Sequence, residues 1–499
     1  MAFSGRAGGQ QAFPASHSLA RLQAFVESLQ AGRNAVSSAA AEKLEVAVSL
    51  LTMPGTLSLE QVRSVCFYGL PDVTPLRKIY WMILLGVLSP HTERWPDELR
   101  STRDKYEGYI NDCIDPNIMQ KAQVGGPRDA NAASAHSIRE GRASLSESRP
   151  ASDHPLNRDR QGAWHRLFEG SELFGTIVKD VSRTRTDLAF FRSESWSLPD
   201  SQGSANGGSD AAADGHTAAG TSAAATSNGA ASGPGPVSFV ERLTRPSSHV
   251  DRMSRILFVY ARLNPALGYI QGMNELLAVL YFVVHSDPLA HDEDPLLLEA
   301  EAFFLFVTLM VHQRDFFLAL DGRSSATLDD TLEQYAGLLH QRDPQLAQHL
   351  DHMHIEPHLY MLRWLLLGFS QDMELPNVIR IWDTILADNP IAIPDIDTSL
   401  QTLPTAFYIA VAVLRVPELR SQLLSLHDRE EVLRTIQHFP MHDIQQILSE
   451  ATQIRSDDIV ARRERHDRRQ QYPRNLERRP TWEKAKRVGE KIIGTLFRG

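Results

Sequence analysis

At 499 residues and 42% hydrophobic content the chain is long enough to bury a sizeable core. Its two cysteines, Cys66 and Cys113, exclude a disulfide framework and a CxxC metal pattern, which points to a reducing compartment. The net charge of −10 is uneven: residues 461–499 hold 13 Lys and Arg against 5 Asp and Glu, a local +8 that leaves −18 on the other 460 residues, so nucleic-acid binding by the body is disfavoured while the tail suits an anionic surface.

The opening MAFSGRAGGQQAF lacks the apolar core of a signal peptide. The longest uninterrupted apolar run, Leu276 to Val284, falls well short of the roughly 18 residues a membrane span needs. The expectation is a cytoplasmic protein, at most peripheral on endomembranes. After a featureless start, Leu19, Leu22, Phe25, Val26 and Leu29 recur at helical spacing and predict a helix over 17–30. Residues 42–52 and 59–68 follow the same pattern. Gly69-Leu70-Pro71 then marks a turn before an apolar helix from Leu76 to Leu88. Residues 124–152 and 200–236 are rich in Ala, Ser and Gly without periodicity, and read as flexible insertions within one domain.

The segment Ser171 to Arg183 reads as an amphipathic helix with a stripe of Leu173, Phe174, Ile177, Val178 and Val181. Asp180 edges that stripe, and Arg183 lies one turn on, within reach of an ion pair; on spacing alone this is also what an ordinary surface pair looks like. From Val250 onward, helices are predicted over 250–263, 272–286, 296–319, 327–340, 357–371, 375–387, 402–426, 428–437 and 442–454. Strand-type alternation is scarce, so the fold class is all-α and multi-helical. Between the first two of these helices, Asn264-Pro-Ala-Leu-Gly-Tyr-Ile-Gln-Gly-Met-Asn274 places Gln271 in a tight turn, where Gly272 allows close backbone approach; the same pattern suits a plain helix connector. His349, His352, His354 and His358 cluster, but their spacing matches no standard metal set and reads as a solvated helix end. In the tail, Trp482, Ala485, Ile492, Ile493 and Leu496 share a helical face among basic residues, which fits an interfacial membrane helix, a partner-binding helix or a solvated basic tail. No phosphate-binding G-x-x-x-x-G-K-[ST] loop, G-x-S-x-G elbow or H-E-x-x-H motif occurs.

Four motifs in order carry a resemblance. Arg77-Lys-Ile-Tyr-Trp81-Met-Ile-Leu84-Leu85 resembles the RxxWxxLL opening of the TBC (Tre-2/Bub2/Cdc16) domain. Ile177-Val-Lys-Asp180-Val-Ser-Arg183 resembles its IxxDxxR motif, and Tyr269-Ile-Gln271-Gly272-Met273 its YxQGM motif. Arg380-Ile-Trp382-Asp383, following Trp364 on the preceding predicted helix, is a fourth similarity. Asp153 to Asn157 and Arg255 to Pro265 narrow the resemblance to one branch of the family. One departure stands out: the motif arginine is often followed by Thr and, two residues later, Pro; here Thr184 is kept but position 186 is Thr.

The resemblance implies a TBC domain over 59–455, preceded by N-terminal helices and a flexible start over 1–58 and followed by a basic tail over 456–499. It further implies a GTPase-activating protein for Rab-type small GTPases, active in vesicle traffic. Arg183 would act as an arginine finger and Gln271 as a glutamine finger. Asp180, Tyr269 and Gly272 would support them, and Arg77, Trp81, Trp364, Trp382 and Asp383 would be structural. The chain would need no metal or cofactor of its own, because GTP and Mg²⁺ are held by the partner. A Rab GTPase is then the expected partner, with a further contact to anionic membrane through the tail. A non-catalytic Rab-binding scaffold is the alternative, and it is disfavoured because both Arg183 and Gln271 are present.

Overall fold

The computed structural model describes residues 38–52, 55–72, 76–113, 163–192, 236–286, 294–320, 326–388, 404–439 and 443–471. The helix expected over 17–30, the insertion over 124–152, nearly all of that over 200–236, and the tail segment 480–498 lie outside them.

Among the described residues the secondary structure is helical, with one isolated β-bridge, Thr56 with His91. In chain order the helices are α1 (Ser38–Thr52), α2 (Leu59–Phe67), α3 (Leu76–Leu84), α4 (Trp95–Cys113), α5 (Ala163–Val181), α6 (Ala189–Arg192), α7 (Pro236–Thr244), α8 (His249–Leu263), α9 (Met273–His285) and α10 (Pro295–Leu320). They continue as α11 (Ala326–Arg342), α12 (Pro344–His352), α13 (Met361–Leu367), α14 (Leu375–Ala387), α15 (Thr405–Leu414), α16 (Pro417–Ser425), α17 (Arg429–Gln437) and α18 (Ile444–Gln471).

The chain divides into two compact units. One comprises residues 1–332 and 360–392, the other 333–359 and 393–499. In the first, α9 is the central element. Twelve of its thirteen residues, all but Phe282, are buried, and it packs between α8 and α10. Helix α5 lies on α8 and α7 through Phe174, which meets Phe239 at 5.2 Å and Phe258 at 5.9 Å between ring centroids. The stretch Pro295–Arg314 of α10 is long and apolar enough to cross a membrane by length and composition alone. Counting uninterrupted runs overlooks it, because Glu299 and Glu301 break the run. Both carboxylates are buried and paired within the fold. Glu299 accepts from Arg255 Nε and Nη2, each at 2.6 Å, and from the Tyr106 hydroxyl at 2.7 Å, while Glu301 pairs with Lys78 at 3.0 Å. A buried charge is tolerated only when compensated in this way, so α10 is built as a core helix.

The second unit is organised by α15, whose residues are nearly all buried and which packs along α18. The Tyr408 hydroxyl donates to buried Asp458 at 2.8 Å, and Arg462 Nε reaches the same carboxylate at 2.6 Å. Asp343 caps α12 by accepting from Leu346 N at 3.1 Å and also accepts from Arg420 Nη2 at 3.0 Å.

Several boundaries differ from the sequence reading for identifiable reasons. The helix expected over 402–426 is two helices, because Pro417 cannot donate within a helix and instead opens α16. The helix expected over 357–371 is a 3₁₀ turn (Pro357–Leu359) followed by α13, which Gly368 ends in the left-handed region at φ 55°. Helix α5 begins at Ala163, eight residues earlier than expected, and α18 runs on to Gln471. Helix α4 was not anticipated. Its buried residues, Trp95, Thr102, Tyr106 and Ile110, form a thin stripe in a polar sequence. His349 and His352 sit in the last turn of α12, and no group of three metal-binding side chains converges among the described residues.

Candidate functional site

Helix α5 ends at Val181 because its chain turns sharply over residues 182–187. Arg183 N donates to Asp180 O at 3.1 Å, Thr184 N to Val181 O at 3.0 Å, and the Thr184 hydroxyl back to Asp180 O at 2.9 Å. Arg183 is left exposed, and its side chain makes no ion pair among the described residues. The Asp180–Arg183 pair suggested by spacing is absent; Asp180 is engaged elsewhere.

Its partner is Tyr269, in the loop between α8 and α9. The Tyr269 hydroxyl donates to Asp180 Oδ2 at 2.9 Å across 89 residues of sequence. Burial, and then the adjacent Asp180 carboxylate, push the Tyr269 phenol well above its ordinary range, so it stays a donor. A second bond joins the same two segments: buried Asn274 Nδ2 donates to the Thr184 hydroxyl at 2.8 Å. Asn274 Oδ1 in turn accepts from Gly272 N at 3.0 Å, and it lies 3.2 Å from the Tyr269 hydroxyl. Asp180, Thr184, Tyr269, Gly272 and Asn274 thus form one network that clasps the end of α5 to the loop.

That loop is stiff. Gly268 N donates to Asn264 O at 2.7 Å, and Met273 N to Ile270 O at 3.2 Å. Gly272 opens α9 at φ 106°, a conformation that suits glycine, and a Cβ there would lie 3.0 Å from Leu367 Cδ2 at the end of α13. Gln271, one residue before, is exposed and takes no side-chain partner among the described residues. Arg183 and Gln271 are therefore solvent-facing polar groups on two segments that the network binds together.

The turn between α13 and α14 completes this region. Gly368 and Phe369 both have positive φ, and a Cβ on Gly368 would collide with the Trp382 indole, whose Nε1 donates to Gly368 O at 2.9 Å. Trp364 stacks on Phe369 at 5.6 Å. Arg185 reaches this turn, donating from Nη1 to Met373 O at 3.2 Å and from Nη2 to Ser370 O. Burial pushes the Glu275 carboxyl of α9 upward, opposed by a hydrogen bond from Gln371 and by the charge of Arg185.

The remaining motif residues gather at a separate centre. Asp383 is wholly buried and accepts from Trp81 Nε1 at 2.9 Å, Arg77 Nε at 3.2 Å and Leu70 N at 3.1 Å. Arg77 also donates to Leu70 O at 2.9 Å and to Asp72 at 2.7 Å. Trp81 and Trp382 lie 5.9 Å apart between ring centroids. This centre ties α3 and α14 to the turn after α2. The sequence reading missed two members of the site: Asn274, which resembles an ordinary first-turn residue, and Arg185, which looks like one more surface charge.

Residues 240–416 match the model of the Rab-GTPase-TBC domain. Over 416 residues the chain is 29% identical to TBC1 domain family member 13 of Homo sapiens, covering 80% of this chain and 94% of that protein. It is 27% identical to the TBC domain-containing protein C1952.17c of Schizosaccharomyces pombe, over 70% of this chain and 62% of that protein. Among solved structures, the Ypt/Rab-GAP domain of Gyp1p shares the fold, with a TM-score of 0.53 at 17% identity, covering 84% of this chain and 98% of that one. The match over residues 240–416, the relatives aligned along most of the chain and the shared helical fold agree: the chain is similar to proteins of the Rab-GTPase-TBC domain family.

Proposed function

We propose that the protein is a GTPase-activating protein for a Rab-type small GTPase, with Arg183 and Gln271 inserted into the partner's nucleotide site. The observation that carries the reading is the clasp between the two motifs. The bonds Tyr269–Asp180 and Asn274–Thr184 join the turn that carries exposed Arg183 to the loop that carries exposed Gln271, which supports the two acting together.

Phosphoryl transfer from GTP spreads negative charge over the phosphate oxygens, so catalysis by a partner is mainly positioning and electrostatic stabilisation. Arg183 supplies a permanent cation whose planar fork of donors matches phosphate geometry. Gln271 offers an amide donor and acceptor on one group, which suits orienting the attacking water. Asp180 acts on Tyr269 rather than directly on Arg183. The chain holds no nucleotide in this scheme: GTP and Mg²⁺ belong to the partner, and the chain alone hydrolyses nothing. The basic segment 461–499, with its local +8 charge, meets anionic endomembrane from the cytoplasmic side in the same reading.

The test is phosphate release from a panel of purified GTP-loaded Rab proteins with and without this chain. At least one member accelerated by about 10³-fold or more is expected. Binding without acceleration across the panel would instead favour a non-catalytic scaffold.

A further inference from the structure

Arg183 lies in a turn that must aim it, yet among the described residues its guanidinium has no side-chain partner. The turn is fastened on one side by Thr184, through Asn274 of α9. On the other side stands Arg185. Its backbone is left-handed at φ 49°, which L residues rarely adopt, and its guanidinium folds inward onto two main-chain carbonyls, Met373 O and Ser370 O. An arginine two residues from another in an exposed turn would ordinarily extend into water.

The surface that receives Arg185 is itself rigid. Gly368 O is held by Trp382, and Phe369 by stacking on Trp364. Glu275 supplies the nearest opposing charge from α9. Two donations from one planar group fix direction as well as distance, which a compact ammonium cannot do.

The geometry points to Arg185 as a positioning residue, whose guanidinium ties the Arg183 turn to the 368–373 turn and so sets the direction in which Arg183 leaves the surface. The catalytic consequence rests on the activator reading above; the tether itself does not.

The full-length chain and its R185A, R185K and R185G variants separate these layers. Single-turnover GTP hydrolysis by a soluble Rab is measured over a range of activator concentration, with hydrogen-exchange mass spectrometry and thermal melting on the same proteins. R185A should lower the maximal rate by about 10–100-fold, with half-saturation moved by less than about threefold. Peptides covering 182–188 should exchange faster while those of 273–285 stay protected. R185K, able to make one bond where two existed, should recover part of the rate. R185G relaxes the left-handed backbone but removes the guanidinium, so it should lose as much rate as R185A. A maximal rate for R185A within twofold of wild type, or restoration by R185G, would overturn the proposal. Loss of protection in 273–285 together with a collapsed melting temperature would do so as well. If the wild-type chain stimulates no Rab, the activator reading fails, and exchange alone decides the tether: unchanged protection over 182–188 in R185A refutes it.

Discussion

Arg183 is exposed, unpaired among the described residues, and mounted on a turn that is fixed behind it. Charge alone does not make it effective, because the phosphate oxygens present a planar, divided acceptor. Arg183→Ala should therefore cost about 10³–10⁵ in stimulated rate, and Arg183→Lys should not rescue it. Single-turnover hydrolysis checks both, and a lysine variant at half the wild-type rate would show that a point charge suffices. Gln271 gives a second prediction. If its amide replaces the GTPase's own glutamine, stimulation should survive mutation of that partner glutamine to alanine, whereas Gln271→Ala should abolish it on both partner forms. Complete resistance of the mutant partner would leave Gln271 as a loop residue only. Tyr269→Phe removes the bond to Asp180 and should cost about 0.5–1.5 kcal/mol of stability while lowering the maximal rate more than the affinity.

At the scale of elements, the loop of Gln271 depends on how α9 begins. Gly272 combines a positive φ with a neighbour, Leu367, at the limit of close packing. Gly272→Ala should destabilise the protein by about 1–2 kcal/mol from backbone strain alone, and should depress activity in solution even where the fold survives. Chemical denaturation against wild type measures the first, stimulated hydrolysis the second. Asp383 makes the contrasting case. Asp383→Ala leaves Arg77 and the Trp81 indole without their shared acceptor, which for a buried ion pair costs about 3–5 kcal/mol. Much of this layer was legible in the sequence. The apolar periodicity of α5, α8, α9 and α14 predicts them within a residue or two at most ends, because those helices bury a broad face. Helix α4 was not legible, since its apolar stripe is thin and its composition polar. Nor was the break at Pro417, where apolar residues on both sides preserve the period while the missing N–H ends the helix. The sequence puts Gln271 in a turn, as observed, but puts Arg183 on the helix read over Ser171 to Arg183, whereas α5 ends at Val181 and Arg183 lies in the turn that follows. Spacing proposed Arg183 as the partner of Asp180, whereas the fold supplies Tyr269 from 89 residues away, and a contact of that range leaves no local trace.

For the molecule as a whole, every residue of the candidate site falls within one compact unit, residues 1–332 with 360–392. Chemistry on a soluble partner should then be indifferent to residues 480–498, which lie far downstream in sequence. Their composition suggests a different task. The local charge of +8 over 461–499 coincides with apolar Trp482, Ile492, Ile493 and Leu496. Each basic residue near an anionic leaflet adds about 1 kcal/mol, an attraction that falls off within a Debye length. Burial of the apolar side chains adds an attraction that salt does not screen. Gly489 and Gly494 lower helix propensity, so ordering on the surface itself is the expected mode. Truncation at residue 479 should therefore leave stimulation of soluble Rab unchanged and reduce stimulation of vesicle-anchored Rab. Co-sedimentation with liposomes of neutral and of anionic lipid checks the cause directly: the full chain should pellet with anionic liposomes at low salt, retain a smaller bound fraction as salt rises, and lose both on truncation. Equal pelleting of the full and truncated chains on anionic liposomes would remove the tail from membrane attachment and leave its charge without that role.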